Sequence, residues 1–200
     1  MAANTTCESL ITKDIAIACQ DIVTKGLESD GVIINRADID FSATVFDDTN
    51  PLIIKQLVLK TGKKAYSIVQ LGSKPFTGTK SDLNVGTYNN KWDTELPIMV
   101  LGNTPDVVNG IVEGLANGTF VCILRNVTKG QDGKGEYQIF GYAQGLRASA
   151  GTREPWSDDT EGGYLMTLKE EGAPHAAYFY FNTDSSTTAK AYEALKSTAA

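Results

Sequence analysis

The chain has 200 residues and a mass of 21.5 kDa, a size that suits a single domain with one core. Hydrophobic residues make up 42% and charged residues 21%, which is ordinary globular usage and argues against a disordered chain. The net charge of −6 has the wrong sign for gripping a phosphate backbone, so it argues against tight nucleic-acid binding.

The sequence also bears on compartment and redox state. Its apolar stretches are far shorter than the roughly 20 residues that a membrane-spanning helix needs, and the N-terminus does not have the pattern of a secretory signal. We therefore expect synthesis in a cytoplasm and no membrane association. Three cysteines without a CxxC pair argue against a disulfide framework or a zinc knuckle. We expect reduced thiols at Cys7, Cys19 and Cys122, with a Cys7–Cys19 bridge as the alternative.

Strand signals dominate the first half of the chain. Alternation predicts a strand over 33–41, and strand-forming residues at 52–60 and 65–71 predict a hairpin. The polar stretch at about 72–94 fits no element and is expected to be a long loop. A short apolar run at 96–101 predicts a further strand.

The clearest helix signal covers about 104–118. Thr104 is a suitable N-cap, Pro105 suits the first helical position, and Gly118 suits the stop. Because its apolar residues recur at helical spacing, we expect the helix to flank a flat apolar surface. The residues expected on its buried face are Val107, Val108, Ile111, Val112 and Leu115.

Strand formers at 119–127 and 136–143 flank a glycine-rich turn and predict a second hairpin. The following stretch at 147–163 is again polar and is expected to be a long loop. Segments 164–169 and 176–181 are expected to pair as strands.

The C-terminal region predicts one more helix and an aromatic strand. Residues 185–197 have an amphipathic pattern that carries Tyr192 and Leu195. In the segment Tyr178-Phe-Tyr-Phe181, strand alternation would place the two tyrosines on one face, with the phenylalanines facing the core. Tyrosine is common in interfaces, so this face is also a possible subunit contact.

The elements predict a mostly β protein with about seven strands and two helices. Strands that follow one another in hairpins favour an antiparallel β-sandwich or a partly closed barrel. We expect a single domain over residues 1–200, with one flanking α-helix at about 104–118 and a short C-terminal helix.

The sequence offers little material for catalysis. A serine or cysteine nucleophile needs a base, but the chain has one histidine, His175, and no nucleophile motif such as GxSxG. Its histidine and cysteines have no transition-metal spacing, and the acidic loops at 132–136 and 157–161 do not follow the EF-hand pattern. Phosphate-binding glycine motifs are also missing. We therefore expect no enzyme activity, no cofactor and no metal.

The two long polar stretches, about 72–94 and 147–163, are the expected contact surfaces with partners. Loops of this length in a compact domain usually bind a partner, become ordered on assembly or are disordered surface loops. The candidate subunit-contact residues within them are Lys74, Phe76, Tyr88, Trp92, Trp156, Asp158 and Asp159.

Several segments follow one another in an order that is typical of one family. A long polar insertion precedes the helix at 104–118, the hairpin of Phe120-VCILRNV with Tyr137-QIFGYAQGL comes next, and Asp158-DTEGGYLMTLKEEGAP follows late in the chain. In this order the chain resembles the tail tube proteins of long-tailed bacteriophages and the tubes of contractile injection systems.

The resemblance implies a β-sandwich flanked by a helix, with hexameric rings stacked into a hollow tube. It implies a place in the virion tail, assembly in the bacterial cytoplasm, contacts with other tail proteins, and transient passage of DNA without tight binding. The insertion at 72–94 would reach the adjacent ring, and the strands of an inner sheet would line the lumen.

Other functions stay open at this point. The chain could be another phage structural protein, namely a tail terminator, a head–tail connector or a capsid decoration protein, which would form a single closed ring or sit on a lattice. It could also be a β-sandwich module that binds carbohydrate or protein through its two loops.

Overall fold

The structure is a computed structural model, and it describes residues 11, 14–15, 22–130 and 132–198. It confirms a mostly β fold with two sheets, a central helix and a helix near the C-terminus. Neither sheet closes into a barrel within the described residues, so the sandwich is the correct alternative. Cys7 and Cys19, and with them the question of a bridge, lie outside the described residues.

The larger sheet has seven strands in the order β2-β3-β11-β8-β7-β1-β4. Its pairs are antiparallel except for β3 with β11, which run parallel. These strands are β1 (Leu27–Asn35), β2 (Val45–Phe46), β3 (Ile53–Gln56), β4 (Tyr66–Val69), β7 (Phe120–Asn126), β8 (Tyr137–Phe140) and β11 (Tyr178–Tyr180).

The smaller sheet has four strands in the order β5-β6-β10-β9, and every pair in it is antiparallel. Its inner face packs on the larger sheet, and on β6 every second residue from Thr94 to Val100 is buried. The strands are β5 (Lys80–Asn84), β6 (Lys91–Val100), β9 (Arg147–Arg153) and β10 (Tyr164–Ala173).

Strand β7 lies at the centre of the fold, and its alternation separates two cores. Phe120, Cys122 and Leu124 face the smaller sheet, whereas Val121 and Ile123 face the opposite layer. The C-terminal helix, Ser185–Ala194, covers that layer and follows the sequence prediction. The Cys122 thiol is free and fully buried, and burial raises its pKa.

The predicted central helix is confirmed, with α-helical Pro105–Val107, π-helical Val108–Val112 and α-helical Glu113–Asn117 in continuous sequence. Thr104 caps it, because its side-chain oxygen accepts a hydrogen bond from the Val107 N–H at 3.4 Å. Ile111 was expected on the buried face but is 47% exposed. The π-helical stretch shifts the register of the helix face, so regular α spacing does not hold there.

The hairpin of β7 with β8 is confirmed, but two other predicted pairings are wrong. Strand β3 pairs with β2 and β11, while β4 pairs with β1, so the segments at 52–60 and 65–71 do not form a hairpin. The segments at 164–169 and 176–181 lie in different sheets. In both cases at least one partner strand is distant in sequence, as β11 is for β3 and β6 is for β10, and local patterns do not encode such pairings.

The predicted long loops are also corrected. The stretch at 72–94 contains β5 and the start of β6, and the stretch at 147–163 contains β9. Both missed strands lie at sheet edges and are largely exposed, so they do not alternate between apolar and polar residues. The predicted strand over 33–41 ends at Asn35 and gives way to a 3₁₀ turn, Arg36–Asp38.

The tyrosines of β11 face inward. Tyr180 is 2% exposed and packs in the core beneath the C-terminal helix, and Tyr178 packs against the same core. Phe179 points to the opposite side of the sheet and stays partly exposed. The expected exposed tyrosine face, and with it a subunit contact through these two rings, is therefore wrong.

Candidate subunit-contact surfaces

The smaller sheet ends in two open edges. Within the described part of the chain, β5 and β9 each pair with one neighbour and leave their outer backbone groups without a strand partner. The three pairings of this sheet are antiparallel, so β5 and β9 run in opposite directions.

The interior of the β9 edge carries no residue that blocks pairing with another chain, although the end of the central helix, Glu113–Asn117, lies against part of this strand. Its interior, Ala148-Ser-Ala-Gly-Thr152, contains no charge and no proline. Proteins usually protect exposed edges with lysine, proline, bulges or very short strands. A bulge lies in the pairing of β9 with β10, between Ala148 and Ala150, yet the strand still runs for 7 residues.

The outer face of the smaller sheet is charged but balanced. Its strands place four acidic and four basic side chains on this face, so the charges cancel and the net −6 of the chain must reside elsewhere. The acidic residues are Asp82, Asp93, Glu95 and Glu171, and the basic residues are Lys80, Lys91, Arg147 and Lys169.

Two lysines on the outer face are each held between two carboxylates. Lys80 Nζ lies 3.0 Å from Asp82 and 3.3 Å from Glu95. Lys169 Nζ lies 2.9 Å from Glu171 and 3.6 Å from Asp93. Asp82 is the main cause of the raised pKa of Lys80, and Glu171 is the main cause for Lys169, so both lysines stay charged and paired.

The two ends of this sheet expose large apolar side chains. Strand β6 has 10 residues and spans about 30 Å. At its N-terminal end, the turn between β5 and β6 carries Tyr88, which is 99% exposed, together with exposed Val85. At its C-terminal end, Leu101 lies beside the loop at 154–163, where Trp156 is 93% exposed.

Acidic residues gather at the Trp156 end. The loop at 154–163 carries four carboxylates, all on exposed residues. Asp158 and Asp159, two of the predicted contact residues, are among them, and the remaining two are Glu154 and Glu161. This loop therefore holds part of the negative charge that the outer sheet face does not carry.

The structure separates the predicted contact residues. Tyr88 lies at one end of the smaller sheet and Trp156 at the other, so one subunit does not bring them together. Trp92 lies in β6, between Leu83 and Ala173 on the flanking strands, and is partly buried. Lys74 is exposed in the connection before β5.

Phe76 belongs to the core rather than to the surface. Its side chain is 4% exposed and packs between the sheets. Its backbone has φ of 54°, in the left-handed region. The Phe76 carbonyl accepts hydrogen bonds from the N–H of Thr79 at 3.1 Å and from its hydroxyl at 2.7 Å, which fixes the turn. The Phe76 ring has almost no surface left for a subunit contact.

A buried carboxylate ties the smaller sheet to the larger one. Glu170 on β10 is 5% exposed, and its oxygens accept hydrogen bonds from the backbone N–H groups of Gly141 at 3.1 Å and Gln144 at 2.6 Å. These donors lie in the connection between β8 and β9, so Glu170 fixes the approach to the β9 edge.

His175 is exposed, and its ring meets the Tyr178 ring edge-on with centroids 5.6 Å apart. The described residues contain no cluster of three or more histidine, cysteine or acidic side chains arranged to hold a metal ion. Within the same residues, no helix has the length and apolar character to cross a membrane.

Sequence reasoning missed the residues of the β5 and β9 edges. Small and polar residues on an exposed edge give no periodic signal, and the run Arg147-ASAGTR could equally be a loop.

Comparison of the chain with protein-family models, with curated proteins and with solved structures finds no match in any of the three.

Proposed function

We propose that this chain is a structural subunit that assembles with copies of itself into rings, and that the rings stack into a phage tail tube through which DNA passes. The observation that carries the proposal is the pair of open edges on the smaller sheet. The proposal assigns the protein to the virion tail, with assembly in the bacterial cytoplasm and no catalytic role.

The directions of β5 and β9 suit a ring. If neighbouring copies are related by rotation about an axis along the strands, β9 of one copy meets β5 of the next in antiparallel orientation. Antiparallel pairing is the more stable arrangement and would continue the sheet from copy to copy. Each copy then satisfies the open edges of its neighbours' smaller sheets, and ring closure leaves no edge of the smaller sheet exposed.

The balance of positive and negative charge on the outer face of the smaller sheet suits the wall of a channel for DNA. Phosphate groups bind where free lysine and arginine side chains offer unpaired positive charge. On this face Lys80 and Lys169 are already paired with carboxylates, so phosphate would have to displace those contacts. Because two of the four cations on this face are held in this way, a lumen lined by it would bind passing DNA less strongly.

The two apolar ends support stacking. A contact between unlike ends of a subunit repeats without limit along an axis and produces a filament. The Tyr88 turn and the Trp156 loop lie at opposite ends of the strands, as a head-to-tail contact requires. Exposed aromatic side chains are typical anchors of such contacts.

Hydrogen exchange on assembled and unassembled protein tests the proposal. Backbone amides of β5 and β9 that face outward should exchange quickly in the free subunit and become protected in tubes seen by negative-stain electron microscopy. Amides of β6 and β10, which are paired in the subunit, are the internal control and should change little.

The outcomes separate the alternatives. Tubes in which β5 and β9 stay unprotected would contradict the edge pairing. Isolated rings without tubes would indicate a tail terminator or a head–tail connector. A protein that stays monomeric at high concentration and binds carbohydrate in calorimetry would instead be a binding module.

A further inference from the structure

A groove of about 1020 Å³ opens between the two sheets beside β5. Phe140 and Phe179 of the larger sheet form its apolar floor, and Phe76 and the turn that follows it lie on the opposite side. Val127 adds an exposed apolar side chain to the rim. The described part of the chain leaves this groove open to solvent.

One wall of the groove is the start of the folded body. Residues 23–27 line it and are bonded in place along the end of β7. The Thr24 N–H donates to the Thr128 hydroxyl oxygen, that hydroxyl donates to the Thr24 carbonyl at 2.8 Å, and the Val127 N–H donates to the Gly26 carbonyl at 3.2 Å. The segment that precedes Ile22 therefore leaves from the rim of the groove.

Two described residues of that segment are apolar and exposed. Ile11 is 74% exposed and Ile15 is 95% exposed. In the sequence Ile15-Ala-Ile-Ala-Cys19 the larger residues recur at every second position. An extended chain would place them on one face, which suits an apolar groove between sheets.

We propose that the groove binds the N-terminal segment, residues 1–21, of a second copy of the chain. Residues 23–26 are held as one wall of the groove, so the same chain would need a turn in the preceding segment to enter its own groove. A segment from a neighbour needs no such turn. The groove opens beside β5, the edge that is proposed above to pair with β9 of the neighbouring copy. The inference that the segment comes from a second copy rests on that proposed function.

Native cysteines make a crosslinking test possible in the full chain. The donor is the natural sequence, which carries Cys7 and Cys19 in the N-terminal segment. The acceptor carries Cys7→Ser, Cys19→Ser and Ser73→Cys, which places a single new thiol on the groove lining. Cys122 is fully buried in both chains and should not react.

Donor and acceptor are mixed and oxidised mildly, and disulfide-linked pairs are measured on non-reducing gels. We expect at least about tenfold more linked pairs than with a control acceptor that carries Ser197→Cys, because binding raises the effective concentration of the two thiols. Ser197 follows the helix on the opposite face of the larger sheet. Ile15→Asp in the donor should lower the yield by about tenfold, since it places a charge in the apolar groove.

Equal yields from the Ser73→Cys and Ser197→Cys acceptors would overturn the inference. A chain that carries Cys19 and Ser73→Cys together, and that links only within itself at high dilution, would overturn the second-copy assignment. Crosslinked pairs in a protein that forms no tubes would leave the inference standing and contradict the proposed function. Tubes that form without crosslinked pairs would contradict the inference and leave the proposed function standing.

Discussion

The side-chain amide of Gln70 pairs with the backbone of Met99 as a neighbouring strand would. Its nitrogen donates to the Met99 carbonyl at 3.0 Å, and its oxygen accepts from the Met99 N–H at 3.3 Å. Gln70 follows β4 in the larger sheet, Met99 lies in β6 of the smaller one, and Gln70 is 8% exposed. One side chain therefore joins the two sheets where β5 no longer covers β6.

Gln70→Leu should destabilise the subunit by about 1–3 kcal/mol, because it leaves both backbone groups of Met99 without a partner at a largely buried position. Urea unfolding followed by fluorescence measures the change. Gln56→Leu is the matched control, since Gln56 is exposed on β3 and should change the free energy of unfolding by less than about 0.5 kcal/mol. Equal effects of the two substitutions would contradict this role.

Glu170→Gln should cost about 2 kcal/mol of stability, because a neutral amide replaces a buried carboxylate that accepts two backbone hydrogen bonds. The neighbouring substitution Glu171→Gln is the control. The Glu171 side chain is 72% exposed and pairs with Lys169 at the surface, so its loss should cost less than about 1 kcal/mol. Similar unfolding midpoints for the two variants would count against the anchoring role of Glu170.

Tyr192→Phe should leave stability unchanged or raise it by about 1 kcal/mol, because the Tyr192 hydroxyl is buried without a hydrogen-bond partner among the described residues. The same burial raises the pKa of Tyr192. Above about pH 10 the unfolded chain loses this proton while the folded chain keeps it, so the natural protein loses stability as the pH rises.

Unfolding at pH 7 and at pH 10.5 to 11 should therefore show an advantage of the Tyr192→Phe variant that grows with pH, by about the contribution of one titrating group. Tyr180, whose pKa burial raises to about 12, stays in both proteins and cancels in the comparison. A variant that is less stable at both pH values would indicate that the hydroxyl has a partner.

Ala150→Lys should block assembly while leaving the subunit folded, because it places a charge in the uncharged centre of the β9 edge. Thr167→Lys is the control: Thr167 lies directly opposite Ala150 on β10, a central strand of the same sheet. Both changes add the same charge, but only Ala150 lies on an edge. Sedimentation and electron microscopy should show tubes for Thr167→Lys alone, and tubes from both variants would argue against β9 as a contact.

Tyr88→Ser and Trp156→Ser should each raise the concentration needed for tubes by about tenfold, because each removes an aromatic anchor from one end of the subunit. Both side chains are more than 90% exposed, so the free energy of unfolding should change by less than about 0.5 kcal/mol. Val45→Ser, at an exposed apolar residue on β2, is the control and should assemble normally. Variants that still form rings but do not stack them would indicate that the two ends of the subunit serve stacking, while the edges of the smaller sheet serve ring formation.

The sequence predicts the parts of the fold that depend on local signals. Thr104 and Pro105 mark the start of the central helix, and the glycine-rich turn marks the hairpin of β7 with β8. The parallel pairing of β3 with β11 depends on residues more than a hundred positions apart, so no local pattern encodes it. Strand β5 was not predicted because the features that stabilise it lie on another strand. Lys80 of β5 lies opposite Glu95 of β6 and forms a salt bridge with it, and this contact exists only in the folded sheet.

The candidate contact residues differ in how far they reach the surface. Tyr88 and Trp156 are almost fully accessible. Phe76 differs because a left-handed backbone turn directs its ring into the core, and a phenylalanine gives no sequence signal for that conformation. The open edge of β9 is a property of the whole sheet and could not be read from any one segment.

The burial of Cys122 gives the protein its own reporter of opening. With Cys7 and Cys19 replaced by serine, a thiol reagent can modify only Cys122, and it can do so only when the centre of β7 becomes exposed. The labelling rate then follows the population of open subunits when closing is fast. Because association stabilises the folded state by mass action, labelling of rings and free subunits side by side would measure, in one chain, how strongly each copy is held by its neighbours.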